Sequence, residues 1–462
     1  MTKSALAPHR LDRWPSFQFL LAFGKNPLVE MRKLHDTYGP HVQLQYPHST
    51  HKKPQILGCI ADAELYRAIS SDQEIWRSTN LNFRGFKHHA SRRLGASMTR
   101  YRGIRATHYR KLFAPPLSKP AVMAMSPEMA AIAQKQVALW RRDEPLDFLP
   151  MASHLTQDLA IGLLFGDDLE RAKPIAALIE RQVAAIWPSH LRDYLVWLTL
   201  AAKQERLIMD WAEQKRGNVN PKDIMSIIVN NPDEYGDPVT RERIGSLVSF
   251  TFGAAYETCQ NAIIWTLVLL TQHPRVVEAL TEEIRGALGG GPPTIDRIGT
   301  LPLLDGAVKE GMRLFPPVAF NSRRSLKDTE LGGTPVRAGA RYLASTYLIN
   351  RNPDIYPEPD HFRPERWKNL NPSAYDYAVF GGGGRMCPGF TFALQMVKTA
   401  IAAIVSQHRV EIAQDTRIDY RVNLTLNSYP AVPIVLRDIN SPVSHARATG
   451  RFRELVQIPD AA

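Results

Sequence analysis

Phe380-Gly381-Gly382-Gly383-Gly384-Arg385-Met386-Cys387-Pro388-Gly389 stands immediately before Phe390 to Gln407, a run with helical spacing of apolar residues. A cysteine at a helix N-terminus has its thiolate stabilised by the macrodipole and by free backbone N–H groups, which lowers its pKa and suits it to bind a metal. Glycines allow a flat ligand to lie against the backbone, and Arg385 can pair with a carboxylate on that ligand. Two plainer readings compete. One is a glycine-rich turn beside an ordinary buried cysteine; the other is a phosphate-binding loop, which the cluster fails because it lacks a G-K-[ST] ending.

Working upstream, Asn350 to Leu370 is rich in proline and aromatics and reads as an ordered, irregular meander. Before it, Thr329 to Ser345 carries Gly-Gly and Ala-Gly turns and reads as short strands, while Phe315-Pro316-Pro317 ends a helix from Leu304 to Leu314. A helical segment at Val276 to Ala287 follows Pro274 and precedes the loop Gly289-Gly290-Gly291-Pro292-Pro293. Thr240 to His273 has no proline and only two glycines, Gly245 and Gly253. It predicts one helix of ~50 Å, and its apolar or small centre, Ser246 to Ala255, places that helix across the core. Met123 to Trp140, Ala152 to Phe165, Lys173 to Ile186, Leu191 to Lys215 and Pro221 to Asn230 also have helical spacing. Short strands are expected in the first hundred residues, as at His41-Val42-Gln43-Leu44, and in Tyr420 to Leu436. The fold class is mainly α with a minor β region.

The 462 residues are 44% hydrophobic and 22% charged, ordinary globular proportions that exclude disorder, collagen and a disulfide-stapled miniature. Glycine and proline are spread along the chain, so one large domain is expected over residues 1–439, with a tail at 440–462. Cys59, Cys259 and Cys387 are far apart in sequence, which suggests neither a disulfide framework nor a zinc knuckle and favours a reducing compartment. No apolar stretch approaches the ~18 residues of a spanning helix, and no signal-peptide pattern opens the chain. A soluble, cytoplasmic protein without a transmembrane anchor is the expectation. The net charge of +12 is local: Ile75 to Pro127 has no acid and eleven cations, namely Arg77, Arg84, Lys87, Arg92, Arg93, Arg100, Arg102, Arg105, Arg110, Lys111 and Lys119. Such a run is either a solvated surface or an electrostatic dock. No zinc-finger or RNA-recognition signature makes nucleic acid the partner.

Thiolate, glycines and arginine together suit a haem with an axial cysteine. Here the sequence resembles the cytochrome P-450 family of haem-thiolate monooxygenases, in its soluble bacterial type, whose F-x-x-G-x-R-x-C-x-G signature is matched at every fixed position. The resemblance covers roughly Pro27 to Ile439 and implies a triangular helical prism around one haem b, iron protoporphyrin IX. It implies Cys387 as the iron ligand within a motif that includes Phe380 and Gly389, and Arg385 as a haem-propionate partner. Glu310-Gly311-Met312-Arg313 and Pro364-Glu365-Arg366-Trp367 match the family's E-x-x-R and P-E-R-[FW] segments in order and spacing, implying that Glu310, Arg313 and Arg366 form a buried structural network. Alone, the first pair would be an ordinary i,i+3 helix pair.

Ala254-Ala255-Tyr256-Glu257-Thr258 resembles the segment over the oxygen-binding side, with Ala255 where the family usually has glycine and Cys259 where a second hydroxyl residue is common. It implies Thr258 and Glu257 as the catalytic alcohol–acid pair that delivers protons to bound dioxygen; the plain alternative is a threonine bonding back to its own helix. Gly103 to Ser118 resembles the helix whose W-x-x-x-R pattern contacts propionates. Arg110 takes the arginine place, Ala106 the tryptophan place, and His108 is a substitute hydrogen-bond donor. Arg323 stands where many members have another propionate-binding arginine. Ile161 to Phe165, Ile186 to Leu200, Val248 to Ala254, Val318 to Phe320 and Leu424 to Tyr429 match pocket-lining regions, making Ala254, Val318, Ala319 and Phe320 candidate contacts to a lipophilic small molecule.

The implied reaction inserts one atom of O2 by hydroxylation or epoxidation, with electrons ultimately from NAD(P)H through separate proteins, an acidic ferredoxin-type or flavin-containing donor. The basic segment would attract that donor or, alternatively, an anionic group on the substrate. Other classes remain open: a peroxide-using or isomerising haem-thiolate enzyme, and a non-catalytic haem-binding sensor.

Overall fold

The chain's longest helix, Arg241–Thr271, starts where the Thr240 hydroxyl accepts a hydrogen bond from the Arg243 amide. It ends just before Pro274, which opens the next helix, Pro274–Leu288. In this computed structural model, residues 6–46, 55–79, 89–94, 101, 103–166, 169–184, 191–220, 222–444 and 446–459 are described. Of the basic segment, Arg84, Lys87, Arg100, Arg102 and the side chain of Arg92 lie outside them. So do residues 186–190 and the side chains of 163–165 and 191–194 in the expected pocket-lining stretches.

At a rise of 1.5 Å per residue the central helix is about 46 Å long. It is buried toward both ends, over Ile244–Val248 and Asn261–Thr271, and packs against Phe148–Phe165, Leu191–Lys215, Pro302–Leu314 and Phe390–Gln407. It therefore crosses the core as its composition predicts. The expected ends of Leu191–Lys215 and Phe390–Gln407 coincide with the observed ones. Pro221 to Asn230 is shorter than expected because Asp223 caps a helix at Ile224–Asn230, accepting from the amides of Met225 and Ser226 at 2.8 and 3.1 Å. Phe390–Gln407 has the length and hydropathy of a membrane span, but 61% of that stretch is buried inside the fold.

Among the described residues the β content is one six-stranded mixed sheet and three small ones. The large sheet runs His9–Leu11, His41–Tyr46, Gln55–Ile60, Arg341–Ser345, Phe320–Ser325, Trp76–Ser78 in spatial order. Its register sets Arg323 opposite Tyr342 and Phe320 opposite Ser345. A hairpin pairs Asp419–Val422 with Leu426–Tyr429.

The described residues of the tail beyond residue 439 pack on the rest of the fold. The Arg447 guanidinium and the Ala448 amide donate to Gln272 at the end of the central helix, the Ile418 amide donates to Thr449 at 2.8 Å, and Arg351 donates to the Leu455 carbonyl at 2.9 Å. Phe452 and Leu455 are buried with the main core. These contacts join residues far apart in sequence, which spacing alone could not show.

Candidate functional site

The Cys387 amide donates to the Phe380 carbonyl at 2.7 Å and closes the glycine-rich loop directly before the Phe390–Gln407 helix. The loop's glycines serve the protein's own packing first. A side chain on Gly382 would run into the Tyr375 ring, on Gly383 into the Ser70 backbone, and on Gly384 into Gln73. Gly383 and Gly384 thereby seat against the end of the Ala63–Ser71 helix and its following turn. A side chain on Gly389 would meet no described atom within 4 Å. Burial pushes the Cys387 thiol above its ordinary pKa, outweighing the Gly389 amide and nearby Arg110, which pull it down. The helix N-terminus alone therefore does not ionise it; coordination deprotonates a thiol outright.

Two arginines brace the loop. Arg385 donates to the Tyr101 carbonyl at 2.7 Å, and both terminal nitrogens of Arg110 reach the Met386 carbonyl. Phe380 meets Phe390 and Tyr377 edge-on. Arg323 differs: it is 4% exposed, and among the described residues no carboxylate pairs with it. It donates to the Ser322 carbonyl at 3.0 Å and lies within electrostatic range of the buried Tyr66 phenol, whose oxygen is beside Gly381 in the cysteine loop. A buried cation requires an anion, and a haem propionate satisfies that requirement.

Among the described residues no cluster of three His, Cys, Asp or Glu could hold a metal ion. A haem needs one axial ligand from the protein, so a single thiolate, with buried Arg323 near its loop, fits a haem. Cys387 would hold the iron, with Arg323 and Arg385 placed for the propionates. His108 does not join them. Two residues before Arg110, it lies on the opposite side of the Gly103–Phe113 helix and its Nε2 meets the Pro232 carbonyl at 3.0 Å. The expectation that it replaces the missing tryptophan is thereby corrected.

On the central helix, Ala254 is exposed and Thr251, Ala255, Glu257 and Thr258 are half-buried, although the helix is closed on either side. Cys259, the next residue, lies within electrostatic range of Cys387. The central helix therefore passes near the cysteine loop at this stretch. Thr258 Oγ1 donates to the Ala254 carbonyl at 2.7 Å, the plain helical alternative, which leaves its lone pairs to accept. Glu257 is not hydrogen-bonded to Thr258; its Oε1 accepts from Thr425 Oγ1 at 2.7 Å, and burial pushes its carboxyl up in pKa. Val318 is half-buried. Ala319, 2% exposed with its carbonyl accepting from the Tyr347 amide, is closed into the core, and Phe320, half-buried like Val318, packs on Phe23.

Glu310, Arg313 and Arg366 come together. Arg313 is bidentate to Glu310 at 2.8 and 2.9 Å, and Arg366 Nε donates to Glu310 Oε1 at 3.0 Å. Trp367 Nε1, at 2.9 Å, and the Arg363 amide add two donors that the sequence did not single out. Burial alone would raise the Glu310 carboxyl, but Arg313 and then Arg366 hold it below its ordinary value. Arg313 also donates to the carbonyls of Asn350, Pro359 and His361, so the helix network fixes the meander.

A helical fold around a lone cysteine at a helix start, with a buried arginine awaiting an anion, defines a haem-thiolate protein. The chain belongs to the cytochrome P450 family, whose profile matches residues 8–434. It is 31% identical to cytochrome P450 3A29 of Sus scrofa over 226 residues, 46% of this chain and 44% of that protein. It is 26% identical to cyclooctatin synthase of Streptomyces melanosporofaciens over 344 residues, 70% and 74% of the two chains. The match spans less than half the length of that porcine protein and of cytochrome P450 3A28 of Bos taurus. The crystal structure of the cytochrome P450DA heme domain superposes with a TM-score of 0.78 at 21% identity, covering 94% of this chain and 98% of that one.

Proposed function

We propose that the protein is a haem-thiolate monooxygenase that inserts one oxygen atom from dioxygen into a lipophilic small molecule. The observation that carries this reading is the accessible acid–alcohol stretch, Ala254 to Thr258, on the buried helix that runs beside Cys387. Haem bound through Cys387 supplies an oxygen-binding iron whose thiolate favours O–O cleavage. The chain supplies the rest. Glu257 holds a proton in a desolvated site, Thr258 offers lone pairs beside it, and Ala254 leaves room for a substrate without supplying a polar partner. A carrier or sensor has no use for that pair, and a peroxide-using enzyme needs no proton delivery.

Electrons would come from NAD(P)H through an acidic ferredoxin-type or flavin-containing protein. Part of the basic segment is neutralised within the fold, Arg93 by Glu205 and Arg105 by Glu234. Among the described residues, exposed Lys111, next to Arg110 on the Gly103–Phe113 helix, and exposed Lys119, which opens the Lys119–Ala124 helix, would serve the docking role. All three cysteines are free, which fits a reducing cytoplasm.

The test is turnover of a panel of lipophilic compounds with ferredoxin, ferredoxin reductase and NADPH under heavy-isotope dioxygen. One labelled oxygen in the product, with a rate that falls as salt rises, is the expected result. Product only with peroxide, or rearranged product without label, would overturn the reading.

A further inference from the structure

Glu257, Asn261 and Trp265 lie at i, i+4 and i+8 and form one stripe of the central helix. Each bonds the same short stretch of the hairpin. Thr425 Oγ1 donates to Glu257 Oε1 at 2.7 Å, Asn261 Nδ2 reaches Thr425 Oγ1 at 3.2 Å and Asn427 Oδ1 at 3.1 Å, and Trp265 Nε1 donates to the Leu426 carbonyl at 2.9 Å. Asn427 Nδ2 also donates to Thr425 Oγ1 at 3.0 Å. From the other side, the Leu426 amide donates to the Pro317 carbonyl at 2.9 Å, next to Val318. Thr425 and Asn261 are each 2% exposed.

The direction of the Thr425 hydroxyl follows from this arrangement. Two amide nitrogens can only donate to its oxygen, so its single hydrogen is left for Glu257. We propose that Thr425 is a positioning residue for proton delivery by Glu257: its hydroxyl, oriented by Asn261 and Asn427, holds Oε1 as an acceptor and leaves Oε2 to carry and release the proton. Among the described residues no cation pairs with Glu257, so nothing competes for the carboxyl group. Burial supports the neutral form, in which one oxygen is a carbonyl acceptor and the other an O–H donor. The hairpin belongs to the stretch Leu424 to Tyr429 that faces substrate in the resemblance, so displacement of its tip would release the acid. The proposal rests on the monooxygenase reading, and its test separates the two.

The experiment compares the wild-type holoprotein with Thr425→Val, which keeps the shape and removes the O–H, and with Thr425→Ser, which keeps the O–H. The infrared C=O stretch of the protonated Glu257 carboxyl, assigned by its loss in Glu257→Gln, is read on each as expressed. In parallel, oxygen uptake by the substrate-free holoprotein is measured with ferredoxin, its reductase and NADPH in light and heavy water. The expected result is a band shifted to higher frequency in Thr425→Val and restored in Thr425→Ser. Uptake falls about two- to tenfold, the span of one hydrogen bond, with a larger solvent isotope effect. If Thr425→Val does not fold, Asn427→Ala, which removes one of the two donors that orient the hydroxyl and keeps the O–H itself, shows a smaller shift in the same direction. An unchanged band in Thr425→Val, or an unchanged isotope effect, overturns the proposal while leaving the reaction assignment intact. A wild-type protein that consumes no oxygen defeats the reaction assignment, and the infrared band still decides the contact.

Discussion

The two sides of the Cys387 region are built on opposite terms. On the meander side, Glu310 receives five donors and Arg313 spends its guanidinium on one carboxylate and three carbonyls, all in fixed geometry. Along the oxygen side, the central helix opens at Ala254, Thr258 turns back on its own carbonyl, and Glu257 is held by one hydroxyl from a hairpin. Multiple satisfied partners make a region rigid; a single partner leaves a group able to move. The first region is suited to fixing the cysteine loop, the second to passing protons past a changing ligand.

Substitutions should respect that division. Cys387→Ser removes the proposed iron ligand, and turnover should drop to background while the far-ultraviolet circular dichroism of the fold is kept. Arg313→Ala strands a buried carboxylate and should lower stability by about 3–5 kcal/mol, read as a reduced denaturation midpoint together with loss of haem. Thr258→Ala should keep haem and stability but cut product formed per electron pair about a hundredfold, the lower end of what positioned proton donors supply. If Thr258→Ala instead costs haem and leaves product yield unchanged, the two sides are not distinct in kind.

Acid should break the meander side first. Arg32 and Arg351 outweigh burial and hold Asp360 at about 2, below its ordinary 3.8. A depressed carboxylate stabilises the fold fully above its unfolded pKa and loses that contribution as pH falls through the folded one. About 2 kcal/mol should therefore vanish between about pH 4 and pH 2, and Asp360→Asn should flatten that part of the stability curve. His35, which burial lowers to about 4, is stabilised neutral and adds a loss of the same sign below about pH 6.5. The smallest effect belongs to His108→Ala, within about 0.5 kcal/mol and without change in haem content, because the ring faces the Pro232 loop.

What could be read in the sequence is local. The thiolate motif, the i,i+3 pair Glu310 and Arg313, and the long helices each announce themselves within a few turns of chain, where residue spacing fixes which side chains share a face. What could not be read depends on elements meeting from far apart. Gly382, Gly383 and Gly384 are required by Tyr375, Ser70 and Gln73, and the direction of His108 is set by a loop more than a hundred residues away. Thr425 and Asn427 sit in a short strand region with nothing to mark them until the central helix is laid beside it. The chance of a signal lay in Asn261, a polar residue directly before the mostly apolar run Ala262 to Leu270, whose burial calls for a partner. Arg105 and Arg93 show the same limit for charge: a run without acids in sequence is partly paired in space.

The central claim is that Cys387 holds a haem iron as thiolate, and the most direct measurement is the absorption spectrum of the dithionite-reduced protein with and without carbon monoxide. The account predicts a strongly red-shifted Soret band on carbon monoxide binding, lost in Cys387→Ser. A band at the position of histidine-ligated haem in freshly reduced wild-type protein, or no haem in a folded, haem-supplied preparation, would contradict it.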